Sequence, residues 1–207
     1  MKMTNRHNLF AYRLWAPVYD TTLNRVFIAG RKRAWAVANL QAGERVLLVG
    51  AGTGADFPLL PAGVWVAGID LSRDMLAKAR ARLPLPGCDV ALARADACRL
   101  PLPPTAFDVA VLNLILSVVP DAGACLTASL RALRPGGRAV IFDKFLPDSA
   151  RLSAGRRLTN TLTTVFGTDI NRRLGDMLPP EGLWKVVSDE PSIGGGLYRV
   201  IVLRRTG

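Results

Sequence analysis

Residues 45–54, Arg45-Val46-Leu47-Leu48-Val49-Gly50-Ala51-Gly52-Thr53-Gly54, constrain this chain more than any other stretch. An apolar run that breaks on alternating glycines is the pattern of a buried parallel strand feeding a tight turn. With no Cβ atoms in the way, a ligand can lie directly against the backbone of such a turn. About twenty residues later Val64-Trp65-Val66-Ala67-Gly68-Ile69-Asp70 repeats the apolar pattern and closes on a carboxylate, at the distance where a nucleotide-type site needs an acceptor for two ribose hydroxyls. The spacing carries the reading, because a glycine turn alone is weak evidence and also occurs as a helix-capping loop.

Beyond Gly43 the chain alternates strand and helix. Strands are predicted at 45–49, 65–70, 90–94, 107–112 and 138–142, the last ending at Asp143-Lys144. Between them lie a short helix from Asp56, a helix over 73–83 capped by Ser72, and a helix over 123–133 stopped by Pro135-Gly136-Gly137. Residues 151–178 read as one or two basic helices. Two final strands, 183–188 and 197–203, flank a turn at Gly194-Gly195-Gly196 and are expected to pair antiparallel. The pattern predicts an α/β fold: a parallel sheet with helices on both faces, finished by an antiparallel hairpin. Upstream, Pro17 divides two helical pieces, 4–16 and 20–40, with Gly30 a weak point in the second. We therefore divide the chain into an N-terminal basic amphipathic helical segment, 1–40, and a cofactor-binding domain, 41–207.

A chain of 207 residues, half of them apolar, suffices for one well-filled domain. Its net charge of +11 is uneven: Lys2, Arg6, Arg13, Arg25, Arg31, Lys32 and Arg33 face a single acid, Asp20, in the first 33 residues. Interleaved apolar residues such as Leu9, Phe10, Trp15, Phe27 and Ile28 make a segment that can lie on an anionic membrane. The same pattern fits nucleic-acid phosphates, or a helix whose apolar side packs on its own domain. The longest apolar run, Val109 to Val119, is interrupted by Asn113 and Ser117 and is too short to span a bilayer. The N-terminus has no compact apolar core of a signal peptide, and Cys88, Cys98 and Cys125 are odd in number and lack metal-ligand spacing. Reduced thiols in a cytoplasmic protein are expected. With His7 the sole histidine, neither a metal site nor a catalytic triad is expected.

Taken in order, four motifs resemble the class I S-adenosylmethionine-dependent methyltransferases. The first is 47–54. The second is Gly68-Ile69-Asp70-Leu71-Ser72-Arg73-Asp74-Met75-Leu76. Next comes Arg94-Ala95-Asp96-Ala97 with Leu100-Pro101 and Phe107-Asp108, and last Leu133-Arg134-Pro135-Gly136-Gly137. The resemblance implies a Rossmann-like seven-stranded sheet and S-adenosylmethionine as cofactor. It implies that Gly50, Ala51, Gly52 and Gly54 meet the cofactor through backbone and that Asp70 accepts both ribose hydroxyls. Leu71 and Met75 would sandwich the adenine, while Asp96 and the amide of Ala97 would read its edge. Asn113 would stand where the cofactor's methionine end meets the substrate. The family often carries an acid where this chain has Leu48, which leaves backbone carbonyls near Gly50 and the side chain of Asn113 to hold the ammonium end.

Within that class the flanks resemble bacterial phospholipid N-methyltransferases and their quinone-methylating relatives. The residues concerned are 12–20, 27–31, Leu116-Ser117-Val118-Val119-Pro120-Asp121 and Ile141-Phe142-Asp143-Lys144-Phe145. The resemblance implies that Tyr19 closes over the cofactor from an N-terminal lid and takes part in catalysis with Asn113. Tyr12, Asp143 and Lys144 would contact substrate, although many relatives have histidine in place of Lys144. The implied acceptor is the headgroup amine of a phosphatidylethanolamine-type lipid, met at the inner face of the membrane. An ammonium has no lone pair, so the amine must first lose a proton, to water or through Tyr19 or Asp143.

Three other readings remain open. One is methylation of a quinone carbon, an oxygen or a thiol, although no obvious base stands ready for a ring proton. A second is a nicotinamide-dependent oxidoreductase, since residues 50–55 also fit the looser dinucleotide fingerprint. The third, a nucleic-acid methyltransferase, is disfavoured: Asn113-Leu114-Ile115-Leu116 replaces the Asn/Asp-Pro-Pro-aromatic tetrad, and the basic segments are mixed with large apolar residues.

Overall fold

The structure, a computed structural model, describes residues 24–146, 172–179 and 184–207. A single seven-stranded sheet organises them. Its strands are β1 (Arg45–Val49), β2 (Trp65–Asp70), β3 (Asp89–Arg94), β4 (Phe107–Asn113), β5 (Leu133–Lys144), β6 (Trp184–Pro191) and β7 (Tyr198–Arg205). They lie in the order β3-β2-β1-β4-β5-β7-β6. The first five are mutually parallel, and β7 runs antiparallel to both β5 and β6. This is the Rossmann-like methyltransferase sheet, ending in the expected hairpin.

Both faces of the sheet are covered, which is why its central strands read as continuous apolar runs rather than alternating ones. Leu47 and Val49 of β1 point to one face with Ala110, Leu112, Ala139 and Ile141, against helix α3 (Ala122–Arg131). That helix buries Ala122, Cys125, Leu126, Ser129 and Leu130, the spacing of one helical face, and starts where the Asp121 carboxylate accepts the N–H of Ala124. Val46 and Leu48 point to the opposite face, shared with Val66, Val109, Val111, Trp35 and Phe57. Helix α2 (Arg73–Arg80) adds Ala79 to this second layer.

Helix α1 (Asn24–Ala38) runs through Gly30 without a break. The expected weak point is a close approach: a Cβ on Gly30 would lie 2.1 Å from Cζ of Phe142 in β5. Phe27, Ala34 and Ala38 pack with Phe142, Val140, Val200 and Val202, so this part of the basic segment is core. Among the described side chains of α1, Ile28 and Val37, each 37% exposed, show large apolar surface. Phe27, Ala34, Trp35 and Ala38 thus pack on the domain, while Ile28 and Val37 stay exposed. The preceding helix expected over 4–16 lies outside the described residues.

Other differences are local. Helix α2 ends three residues earlier than expected, and β5 begins before its Pro-Gly-Gly stretch, carrying a bulge against β4 between Phe107 and Val109. The helix from Asp56 is a single 3-10 turn, Phe57–Leu59. Of the basic helices expected over 151–178, the described portion, 172–178, forms a turn. Among the described residues, no helix is long and apolar enough to cross a membrane.

One arginine fastens α1 to the sheet. Arg138 donates to both carboxylate oxygens of Glu44 at 2.8 Å, and to the carbonyls of Ala38 and Asn39 at 2.6 and 3.0 Å. Burial pushes the Glu44 carboxyl up, but the Arg138 hydrogen bonds and charge, together with the Gln41 N–H, outweigh it and hold the pKa below the ordinary value. A depressed carboxylate stabilises the fold above its unfolded pKa, and that contribution is lost as pH falls through the lowered value. Arg138→Met is expected to cost about 2 kcal/mol, below the figure for a fully enclosed pair because both groups retain some solvent. Urea titrations at neutral and acid pH check this: the penalty should shrink in acid, and an equal loss at both would contradict the ion-pair account.

Candidate active site

Strand β1 pairs with β2 on one side and with β4 on the other, so the chain order reverses here and the strand ends open into a crevice. The glycine turn begins where the N–H groups of Gly50 and Ala51 both donate to the Ile69 carbonyl, at 2.9 and 2.8 Å. Gly50, Gly52 and Gly54 have φ of 75°, 54° and 78°, a region costly for residues with a side chain. At Gly52 a Cβ would meet no atom nearer than the Gly50 carbonyl oxygen at 4.0 Å, so open space lies over its backbone. Ala51 is buried beside Leu48 and Phe57 on the α1 side of the sheet.

Asp70, at the end of β2, faces this turn. One carboxylate oxygen accepts the Gly52 N–H at 2.9 Å and the other the Ser72 N–H at 2.8 Å. Each oxygen retains a second lone pair, held in place by backbone. Burial raises the pKa of Asp70, and the N–H groups of Ser72, Gly52 and Leu71 pull it partly back. Ser72 caps α2 as expected, its hydroxyl accepting the Met75 N–H at 3.3 Å, and this brings half-buried Leu71 and Met75 close behind Asp70. Beyond β3, Ala97 is buried and the Asp96 carboxylate accepts the Cys98 N–H at 2.9 Å, closing a turn.

Asn113, expected in the site, ends β4 and meets a group the sequence reading missed, the Asp56 carboxylate. Asn113 is 4% exposed, and its Nδ2 donates to Asp56 Oδ1 at 3.1 Å. Asp56, 1% exposed, also accepts Trp35 Nε1 at 3.0 Å on Oδ1 and Arg31 Nη1 at 2.7 Å on Oδ2. A buried carboxylate thus stands on the side of β1 that Leu48 faces, supplied by the loop after the strand rather than by the strand. Two buried polar atoms in this cluster, Asn113 Oδ1 and Arg31 Nε, have no hydrogen-bond partner among the described residues. The signal in the sequence was an acid two residues after Gly54 in a chain with no acid at position 48.

Past β5, Asp143 is fully buried. Its oxygens accept the N–H groups of Ser117 at 3.0 Å and Lys144 at 2.7 Å, bracing the 114–119 loop next to Asn113. Burial pushes its carboxyl up, opposed by the Ser117 hydroxyl and N–H and by Lys144. The Arg172 guanidinium donates to the carbonyls of Leu116 and Val119 in the same loop. Lys144 lies with Nζ 5.9 Å from the centre of the Tyr198 ring. Tyr12 and Tyr19 lie outside the described residues. Hydrogen bonds thus tie Gly52, Asp70, Ser72 and Met75 together, and Asn113 ends β4, the strand beside β1. An adenosyl group with an amino-acid tail fits these residues: open space over Gly52, a fixed carboxylate with spare lone pairs, and an orphaned acceptor on Asn113.

The methyltransferase domain family matches residues 47–141. A phosphatidylethanolamine N-methyltransferase of Cereibacter sphaeroides is 32% identical over 197 residues, 94% of this chain and 96% of that protein. A demethylmenaquinone methyltransferase of Beutenbergia cavernae is 39% identical over 142 residues, 66% of this chain and 57% of that protein. Among solved structures, an S-adenosylmethionine-dependent methyltransferase from Mesorhizobium loti superposes with a TM-score of 0.63 at 24% identity, covering 86% of this chain and 98% of that one. One from Thermotoga maritima gives 0.64 at 23%, covering 95% and 99%. At these identities the solved structures show the fold.

Proposed function

Because this chain belongs to the class I S-adenosylmethionine-dependent methyltransferases, we propose that it methylates the headgroup amine of a phosphatidylethanolamine-type phospholipid. One observation carries the choice of acceptor. The similarity to the phosphatidylethanolamine N-methyltransferase runs through both flanks and nearly the whole of each chain. The flanks are where acceptor recognition differs between enzymes that share a cofactor domain.

S-adenosylmethionine supplies, when bound, a sulfonium methyl group that a neutral amine can attack. The chain's own residues bind and align. Asp70 would hold the ribose, Leu71 and Met75 the adenine, and the backbone of Gly50–Gly54 the atoms between sugar and tail. Asn113 would sit at the methionine end, beside the loop that Asp143 and Arg172 fasten. Holding two reactants in line can supply about 7–11 kcal/mol of the barrier to such a displacement. Tyr19, Tyr12 and Lys144 are proposed on the acceptor side, with the basic N-terminal residues meeting an anionic membrane surface from the cytoplasmic side.

A radiolabelled methyl-transfer assay on phosphatidylethanolamine vesicles, demethylated quinones, soluble metabolites and RNA in parallel tests the proposal. Label is expected in the lipid. Label in the quinone alone would favour the second reading, which the higher identity to the quinone enzyme over the shared core supports. The protein is also expected to sediment with anionic vesicles and to be released by high salt. Equal sedimentation with neutral vesicles would refute the electrostatic surface contact.

A further inference from the structure

We infer that Asp56 is a positioning residue for the amino-acid half of the cofactor: it turns Asn113 Oδ1 and Arg31 Nε, the two unpaired buried atoms of the site, toward a group that carries both a cation and an anion. The inference rests on the methyltransferase reading above and concerns which residues of this chain grip which end of the cofactor.

The argument begins with the amide. A carboxamide is symmetrical in shape, and its two ends differ only in whether they donate or accept. Next to a carboxylate the nitrogen must face inward, because an oxygen there would meet Asp56 Oδ1 with no proton between them. Asp56 thereby fixes the orientation of Asn113, and its Oδ1 is left as a buried acceptor without a partner. The same carboxylate holds Arg31 by Nη1, leaving the Nε–H as a buried donor without a partner. Trp35 takes a further lone pair of Asp56 and anchors the cluster to α1. Buried polar atoms in folded proteins are almost always satisfied, so an orphaned acceptor and an orphaned donor on two neighbours of one carboxylate point to a missing ligand. An α-amino acid terminus offers both complements, ammonium protons for Asn113 and carboxylate oxygens for Arg31. Asp70 lies at the neighbouring strand end, where its lone pairs suit the sugar. The arrangement also explains how the chain manages with leucine at position 48.

Calorimetry with two ligands separates this from a merely structural role. S-adenosylhomocysteine has the amino-acid tail, and 5′-methylthioadenosine lacks it. Asp56→Asn is expected to weaken binding of the first by about tenfold or more, and of the second by less than about twofold. Asn113→Ala should show the same split, and it carries the test if Asp56→Asn does not fold. Equal weakening of both ligands, or no change in either, would overturn the inference. Wild-type protein that binds neither ligand would overturn the cofactor assignment itself, and this inference with it.

Discussion

Asp70→Ala is expected to reduce affinity for S-adenosylhomocysteine and for 5′-methylthioadenosine alike, by about a hundredfold to ten-thousandfold. Two hydrogen bonds to a charged acceptor contribute roughly 1.5–3 kcal/mol each, and about 1.4 kcal/mol is tenfold. The substitution also leaves the N–H groups of Gly52 and Ser72 without the acceptor they now have at 2.9 and 2.8 Å, so the glycine turn loses its brace. Loss of both ligands together distinguishes Asp70 from Asp56, whose effect should appear only when the tail is present. The pH dependence gives a second check. Burial lifts the pKa of Asp70, so binding should weaken as pH falls through that raised value and the carboxylate gains a proton. A variant that binds within tenfold of wild type would refute the ribose assignment.

Gly30→Ala is the second large effect, and its sign is the informative part. In an exposed helix interior this change stabilises by about 1 kcal/mol, because alanine restricts the unfolded chain and favours the helix. Here the new methyl would stand 2.1, 2.3 and 2.8 Å from three ring carbons of Phe142. That ring is fully buried, with ring centres of Phe27 at 6.4 Å and Tyr198 at 5.8 Å, so it has nowhere to retreat without moving its neighbours. We expect a net loss of about 2–4 kcal/mol, the upper range for overpacking a filled core, and a Tm lower by about 4–16 °C. Phe142→Leu in the same chain should recover part of the loss, giving a coupling energy in a double-mutant cycle. A Tm at or above wild type would show that α1 is not seated on β5 as described.

These two residues also show what kind of signal a sequence carries. Asp70 was legible because its partners are local: an apolar strand precedes it, Ser72 follows, and the glycine turn lies at a set distance upstream. Gly30 was legible only as an anomaly. Its helix and its location were visible, but the reason for glycine lies on Phe142, 112 positions further along the chain. Asp56 was read only as the start of a short helix, since its bonds reach 25 residues back to Arg31, 21 to Trp35 and 57 forward to Asn113. No periodicity connects residues at such separations.

The sequence alone determined the succession of strands and helices, the place where the backbone must pass bare against a ligand, and the acid that faces it. Those features follow from rules acting within a few residues: apolar runs seek burial, glycine tolerates positive φ, and a carboxylate at a strand end seeks backbone donors. Only the tertiary structure decided that α1 belongs to the core between 27 and 38, and that Asp56 supplies the buried carboxylate on the face where β1 carries leucine. Both depend on which side chains meet across the sheet, and a buried charge can be placed only once every donor around it has a position in space.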